Sequence, residues 1–357
     1  MSILFAILIF SFLIFIHEFG HFITAKLSGV QVNEFSMFMG PVLWKKQKGE
    51  TLYSIRCIPF GGFCAMEGED GDSDNPRAFG RAAWWKRLMI LAAGAFMNLV
   101  AGILLFVIVC LPMTETEPVM VVENIQPSSS LAVEGGFQNG DHLLEMDGEP
   151  IQTPEDFDRI LESNPGEIHD FVLERDGQQI VLDDFVFSKK IFDGEDTPRY
   201  GFQYRFYYLS TGVPLPLGEK LAAAWDNVVY SVKSVWMALG MLIRGEAGLS
   251  DMSGPVGIVH EMGAIANASE TAGTAVLNLL TIGGFLAINL AVMNLLPIPA
   301  LDGGRIVALL LTTGIEAVTH KKLNPKYEGY IHAAGMILLL ALMGLILFKD
   351  IFVIVKG

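Results

Sequence analysis

Long apolar runs alternate with polar stretches along this chain, and four of the runs are long enough to cross a bilayer. They cover about residues 2–27, 88–111, 275–298 and 331–353. A helix needs about 20 predominantly apolar residues to span the hydrocarbon layer, and each run is at least this long. The pattern therefore predicts a polytopic α-helical membrane protein with about four transmembrane helices.

Residues 31–66, between the first two runs, predict a membrane-associated β-hairpin or sheet segment. Short β-rich stretches are separated here by pairs of residues that are typical of turns. These pairs are Gly40-Pro41, Lys48-Gly49 and Gly61-Gly62. The ends of the stretches are apolar, so the sheet is expected to dip into the membrane, where protein or a water-filled cavity must cover its backbone. An ordinary cytoplasmic hairpin is the alternative.

Residues 112–210 have the sequence pattern of a soluble domain, with β-rich runs around a helix predicted over 154–163. The stretch SSSLAVEGGFQNGDHLLEMDGEPI within it resembles the PDZ family in its glycine, Gly-Asp and Asp-Gly pattern. The matching residues are Gly136, Phe137, Gly140, Asp141, Asp147 and Gly148. The resemblance implies one inserted PDZ-like α+β domain that binds extended peptides at a sheet edge. A small β-rich domain without a peptide ligand is the alternative.

Residues 211–274 connect this domain to the third apolar run. Apolar residues recur at helical spacing over 219–243 and predict an amphipathic helix. Because Asp226 and Lys233 disfavour a lipid-facing span, we expect this helix on the outer membrane surface. The SGPVGI segment at 253–258 predicts a turn that leads back towards the membrane.

Composition and charge agree with a membrane protein. Hydrophobic residues make up 52% of the 357 residues, and the mean hydropathy of +0.44 is too high for one soluble domain. Residues 112–274 hold 27 of the 39 acidic residues and 9 of the 24 basic ones, so we expect no nucleic acid partner. The loops 26–87 and 300–330 are basic, and the positive-inside rule therefore places them in the cytoplasm. The first run lacks a basic leader and is expected to remain as a span.

The first apolar run contains the sequence HEFGH, which places ionisable residues inside a membrane-length segment. On a helix, His17 and His21 lie one turn apart on the same face and can bind one metal ion. Glu18 lies about 100° round the helix, where it can take a proton from water without being a ligand. Ionisable residues at mid-membrane cost roughly 2.5 to 3.5 kcal/mol, which favours a metal site over a polar stripe satisfied by a neighbouring helix.

A second polar group follows the third apolar run, in the sequence NLLPIPALDGG. Its two prolines break a helix at membrane depth, and Asp302 follows in a flexible Gly-Gly context. A catalytic zinc ion usually takes three protein ligands and keeps one open position. Asp302 can complete the set with His17 and His21, which predicts Zn2+ as the cofactor; a helix cap is the alternative role.

Together these features resemble the bacterial site-2 protease family of intramembrane zinc metalloproteases over nearly the whole chain. They are HEFGH, the strand segment FSMFMGPVLWKKQKGETLYSIRCIPFGGF, the PDZ-like domain, GPVGI and NLLPIPALDGG. The resemblance implies hydrolysis of a peptide bond within transmembrane segments of single-pass proteins, such as anti-sigma factors or signal-peptide remnants. The cut usually follows trimming of the substrate by an upstream, site-1 type protease.

The family's residue roles carry over to matching positions. His17, His21 and Asp302 are the implied zinc ligands, and Glu18 is the implied catalytic base. The implied substrate-binding residues are Asn294, Gly61, Gly62 and Phe63. The resemblance also implies a multi-pass protein of the bacterial cytoplasmic (inner) membrane, with the active site nearer the cytoplasm and the PDZ-like domain outside. GFCAM replaces a segment that often contains tyrosine, lysine and methionine in the family, so substrate selection is expected to differ.

The predicted organisation has four parts along the chain. Residues 1–111 and 275–357 form the two catalytic membrane halves, 112–210 the PDZ-like domain, and 211–274 the interfacial helix with the GPVGI segment. Two other functions remain compatible with the sequence. One is a membrane zinc peptidase that cuts soluble or lipidated peptides, and the other is a non-catalytic membrane scaffold that uses its PDZ-like domain.

Overall fold

The structure, a computed structural model, describes residues 2–69, 71, 73–192, 196–248, 254–269, 271–320 and 325–356. The chain forms two compact units, of which the first combines Met1–Pro112 with Leu217–Gly357 and the second is Met113–Pro216. The second unit overlaps the predicted domain at 112–210. It extends to Pro216 because its last strand continues beyond residue 210.

Eight α-helices are present in the described residues, and half of them are apolar enough to cross a membrane. In chain order they are α1 (Ser2–Ser28), α2 (Trp84–Cys110), α3 (Pro154–Ser163), α4 (Leu217–Arg244), α5 (Pro255–Ala268), α6 (Ala272–Asn294), α7 (Asp302–Thr319) and α8 (Pro325–Lys356). The apolar stretches are Phe5–Ser28, Trp84–Cys110, Ala272–Asn294 and Ala333–Asp350. The described residues thus contain four candidate membrane spans, in agreement with the four predicted runs, and the chain is a membrane protein.

The third span ends earlier than the sequence pattern predicted. Helix α6 stops at Asn294 rather than near residue 298, because prolines at 297 and 299 lack the amide hydrogen that continues a helix. The chain then turns and begins α7 at Asp302. The Gly-Gly pair after Asp302 is therefore the first turn of a helix, and the prediction of a flexible context there is wrong.

The segment between α1 and α2 is an antiparallel hairpin of two long strands, β1 (Val32–Lys48) and β2 (Thr51–Met66). The predicted turn at Lys48-Gly49 is the hairpin turn. The predicted turns at Gly40 and Gly61 are wrong, because both residues lie within strands. Their φ angles of 84° and 76° belong to the left-handed region that glycine adopts readily, and they bend each strand without ending it.

These bends let the hairpin form a sheet of four short segments. Residues 32–37 pair with 62–66 on one side and with 52–55 on the other. Residues 42–48 pair with residues 51–56 of β2, on the side opposite residues 32–37. The stretch 62–66 therefore lies at one edge of this sheet, and it belongs to the strand that packs against α1.

Helix α2 is at the centre of the helical unit, where it packs against α1, α4, α6 and α7. The predicted amphipathic helix at 219–243 is α4, and its Ala224 and Val228 pack with Phe106 of α2 and Ile288 of α6. Its location on the membrane surface stays a prediction.

The prediction of a turn at 253–258 is wrong, because Pro255 begins helix α5. Proline suits the first turn of a helix, where its missing amide hydrogen has no partner in any case. Asp350 of α8 supplies the cap: its buried carboxylate accepts hydrogen bonds from the backbone N–H groups of Gly254 and Gly257 at 3.3 and 2.8 Å. Ser253 lies outside the described residues.

The second unit is an antiparallel sheet with one helix. Its strands are β3 (Thr114–Glu123), β4 (His142–Met146), β5 (Glu149–Pro150), β6 (Ile168–Arg175), β7 (Gln178–Val186) and β8 (Gln203–Pro214), in the order β7-β6-β4-β3-β8 with β5 on β4. Helix α3 covers the predicted residues 154–163 and begins with a capping box at Thr153 and Asp156. Phe157 and Ile160 point from α3 into the core. The likeness to a PDZ domain stays a prediction.

Candidate metal centre

The two histidines of the HEFGH sequence meet on one face of α1, inside the apolar stretch Phe5–Ser28. Their ring centroids are 4.8 Å apart, and the Nε2 atoms of His17 and His21 are separated by 3.3 Å. One helical turn between the residues produces this arrangement, as the spacing predicted. Two imidazole nitrogens therefore face the same point.

Asp302 reaches the same point from the first residue of α7. Its Oδ2 lies 3.3 Å from Nε2 of His17 and 3.4 Å from Nε2 of His21. The proline-interrupted connection between α6 and α7 turns the chain so that this carboxylate faces α1. The structure thus brings together three side chains that are up to 285 positions apart in the sequence.

The separations between these three atoms fit a metal ion. Four ligands about 2.0–2.1 Å from a tetrahedral zinc ion are about 3.3–3.4 Å from one another, which matches all three distances. Oδ2 of Asp302 is buried and accepts no hydrogen bond from the described residues. A buried carboxylate oxygen without a donor needs a cation, and the three side chains could hold one.

Helix α2 holds His21 in the orientation that a ligand needs. Nδ1 of His21 lies 2.8 Å from the backbone carbonyl oxygen of Ile90, so Nδ1 carries the hydrogen and Nε2 keeps its lone pair for the metal. One turn further along α2, Gly94 packs directly against both imidazoles. A Cβ atom at Gly94 would overlap Nε2 of His21 and lie 2.7 Å from Cε1 of His17.

Glu18 lies beside the ligand cluster, next to the edge stretch of β2. Glu18 and Cys64 of this stretch line one pocket. A Cβ atom at Gly62 would lie 3.2 Å from Cγ of Glu18, so the glycine allows the strand to approach the carboxylate closely. The position suits a group that moves protons beside the metal and does not itself bind it.

A pocket of about 390 Å³ surrounds this cluster. Its lining is His17, Glu18, His21, Phe63, Cys64, Ala65, Met66, Glu69, Leu91, Asn294, Ala300, Leu301, Asp302 and Arg305. Phe63 and Asn294 of the predicted substrate contacts therefore reach the pocket. Gly61 instead lies against the side chain of Met39, where its positive φ angle bends β2.

Two features of the site have no signal in the sequence. The first is the contact of His21 with the Ile90 carbonyl, which belongs to an ordinary apolar helix. The second is an ion pair between Arg305, one turn after Asp302, and Glu69, after β2. Charge pairs that join distant segments cannot be read from spacing. Gly94 in the second apolar run predicted a close helix contact, and the structure shows that the contact is with both imidazoles.

Two imidazoles, a carboxylate and a neighbouring glutamate are the side chains that define metal-dependent proteases of the HExxH type. Comparison with known proteins agrees: residues 5–342 match peptidase family M50. The chain belongs to this family, the site-2 protease family, and is a zinc metalloprotease.

Relatives in other bacteria support the same assignment. A Clostridium perfringens protein that carries a zinc metalloprotease name is 36% identical, with 98% of each chain covered. The zinc metalloprotease RasP of Bacillus licheniformis is 28% identical, with 97% of each chain covered. The regulator of sigma-W protease RasP of Bacillus subtilis is 26% identical over the same share of both chains.

Proposed function

We propose that this protein is an intramembrane endopeptidase that hydrolyses a peptide bond within the transmembrane segments of single-pass membrane proteins. The observation that carries the proposal is the position of the ligand cluster. His17, Glu18 and His21 lie within an apolar stretch of α1, Phe5–Ser28, that is long enough to span the bilayer. A protease whose reactive groups lie at membrane depth is suited to substrates at the same depth.

Each side chain of the centre has a distinct role in this proposal. His17, His21 and Asp302 would hold a zinc ion, which would supply Lewis-acid activation of water and of the scissile carbonyl. Glu18 takes a proton on its carboxylate from the attacking water and passes it to the leaving amine. Glu18 lines the same pocket as the three proposed ligands, which supports this role.

The substrate is proposed to bind as an added strand along residues 62–66 of β2. This stretch lies at an edge of the membrane-associated sheet, and Phe63 and Cys64 line the pocket beside Glu18. A transmembrane helix uses its own carbonyls in hydrogen bonds, so a substrate must unwind before its amide can be attacked. A sheet edge offers hydrogen bonds that offset this loss inside the membrane.

Charge and family membership support a location and a class of substrate. The basic loops at 26–87 and 300–330 support an orientation with the pocket end of α1 nearer the cytoplasm of a bacterial inner membrane. The second unit, proposed as PDZ-like, then lies outside and screens substrates after an upstream protease has trimmed them. The name of the Bacillus subtilis relative, a regulator of sigma-W protease, makes anti-sigma factors reasonable candidates.

The test is cleavage in proteoliposomes of a single-span substrate and of the same substrate with glycine pairs introduced at mid-span. We expect cleavage within the span, and faster cleavage of the glycine variant because its helix unwinds more easily. A water-soluble peptide with the sequence of an exposed loop is the comparison. Cleavage of the soluble peptide with no cleavage within either span would favour the alternative, a membrane peptidase of soluble or lipidated peptides.

A further inference from the structure

Helix α2 carries a buried polar side chain, Asn98, that points at the candidate metal centre. Asn98 lies one turn beyond Gly94 and is 1% exposed. Its Nδ2 atom is 3.4 Å from Nδ1 of His17. Its Oδ1 atom is buried and has no hydrogen-bond partner among the described residues.

The hydrogen-bonding needs of His17 indicate a role for Asn98. Nε2 of His17 faces the other two ligand atoms, so an imidazole that binds zinc there carries its hydrogen on Nδ1. Nδ1–H needs an acceptor, because metal-binding histidines are oriented by the partner of their other nitrogen. An amide N–H cannot be that acceptor, whereas an amide oxygen can.

Rotation of the Asn98 amide by half a turn gives the Nδ1–H group of His17 an acceptor and gives the amide oxygen of Asn98 a donor. The oxygen and nitrogen of a primary amide have nearly the same shape, so the rotation exchanges them without moving the helix. The oxygen that lacks a donor then accepts the hydrogen of His17 Nδ1. We propose that Asn98 is a positioning residue of the zinc centre, which fixes the tautomer and ring orientation of His17 through its amide oxygen.

A second amide competes for this role, and its surroundings argue against it. Nδ2 of Asn294 is also 3.4 Å from Nδ1 of His17. Asn294 is the last residue of α6 and lines the pocket, where a substrate can take up its hydrogen bonds. Asn98 is enclosed within the protein, and a buried amide needs a permanent partner.

The position of Asn98 also completes a pattern on α2. Ile90, Gly94 and Asn98 follow one another at intervals of four residues and share one face of the helix. Ile90 orients His21, Gly94 leaves room for both rings, and Asn98 orients His17. One helix thereby sets the geometry of two ligands that belong to another. This inference rests on zinc binding by His17, His21 and Asp302, and it does not depend on where the substrate is cut.

The experiment is a measurement of zinc affinity in the purified full-length protein, by competition with a chromophoric chelator in detergent. Asn98→Leu keeps the size of the side chain and removes the acceptor, and we expect a zinc affinity about 10- to 100-fold lower. Asn98→Asp keeps an acceptor oxygen, and we expect an affinity equal to or higher than that of the wild type. Asn289→Leu is the matched control, because Asn289 bonds only to the Phe285 carbonyl of its own helix among the contacts described.

Two further measurements separate a positioning role from a structural one. Thermal unfolding of the metal-free proteins reports whether the substitutions damage the fold itself. The visible absorption spectrum of the Co2+-substituted protein reports ligand geometry, and we expect it to change in Asn98→Leu and to be restored in Asn98→Asp. Asn294→Leu is expected to lower the rate of substrate cleavage and to leave zinc affinity within about twofold.

Specific results would overturn the inference. Wild-type zinc affinity in a folded Asn98→Leu protein would do so, and so would a loss of affinity in Asn98→Asp as large as that in Asn98→Leu. If Asn98→Leu does not fold, the affinity and spectrum of Asn98→Asp decide the question alone. A loss of zinc in Asn294→Leu with none in Asn98→Leu would assign the role to Asn294.

Discussion

Nδ1 of His21 lies 2.8 Å from the backbone carbonyl oxygen of Ile90, although the two residues are 69 positions apart in the chain. A carbonyl oxygen only accepts hydrogen bonds, so this contact assigns the hydrogen of the ring to Nδ1. Nε2 is left to face Asp302 and His17. The contact places α2 so close to α1 that the residue one turn later, Gly94, cannot carry a side chain.

Substitution of Gly94 by alanine is therefore expected to disrupt the centre. The added methyl group would occupy the space of His21 Nε2 and contact the ring of His17. Both rings would then have to move away from the positions that match a metal ion. We expect zinc content per protein to fall well below that of the wild type, measured by atomic absorption. Gly314→Ala, in α7 where no atom lies near the added methyl group, is the matched control and should retain zinc.

Removal of the third ligand should abolish the stabilisation that zinc provides. A metal ion that binds only the folded state raises the free energy of unfolding, so a chelator lowers the melting temperature of a protein that holds it. We expect EDTA to lower the melting temperature of the wild type and to leave that of Asp302→Ala unchanged. Equal shifts in both proteins would show that the ion lies elsewhere.

The contact between α8 and the start of α5 predicts a stability effect away from the pocket. Asp350→Leu leaves the N–H groups of Gly254 and Gly257 without this acceptor, and the loss at the buried Gly254 alone costs about 1 to 3 kcal/mol. Asp350→Asn keeps one oxygen, so its melting temperature should lie between those of Asp350→Leu and the wild type. Identical melting temperatures for all three proteins would contradict this role of Asp350.

The turn of the β1–β2 hairpin predicts a dependence of stability on pH. Hydrogen bonds from Arg77 and from Lys26 lower the pKa of Glu50 from 4.5 to about 2. Because the pKa is lower in the folded state, the contribution of Glu50 is complete above about pH 4.5 and is lost as the pH falls towards 2. We expect Glu50→Gln to reduce the free energy of unfolding by about 1 kcal/mol at pH 7.

The difference between the wild type and Glu50→Gln should narrow as the pH is lowered from 4.5, as measured by thermal unfolding in detergent. Glu261→Gln, at an exposed position of α5, is the matched control. A difference that widens in acid would mean that the ion pairs of Glu50 destabilise the folded protein.

Local patterns predicted much of the helical framework. The apolar runs located the four long apolar helices, and the helix at 154–163 was indicated by the proline that opens it and the Asn-Pro-Gly that follows. The i, i+4 spacing of His17 and His21 predicted that their rings would meet, because it follows from helical geometry alone. The sequence suggested Asp302 as the third metal ligand only because it is a carboxylate that follows a proline-interrupted apolar run. Its distance to the histidines depends on how α6, α7 and α1 pack.

The predictions from sequence are wrong where tertiary contacts override local signals. Gly40 and Gly61 have turn chemistry, yet cross-strand pairing on both sides continues the strands through them. GPVGI has turn chemistry as well, but the carboxylate of Asp350 caps it into a helix from 93 and 96 positions away. The roles of Ile90 and Asn98 follow from a packing contact, which no pattern within α2 encodes.

The central claim is that Glu18 performs the proton transfer at a zinc centre held by its neighbours. Its most direct test is cleavage of a co-reconstituted single-span substrate by the wild type and by Glu18→Gln, with the zinc content of both proteins measured. We predict zinc in both proteins and a cleavage rate at least about 100-fold lower in Glu18→Gln, the loss typical of a missing general base. Wild-type cleavage by a zinc-loaded Glu18→Gln protein would contradict the account.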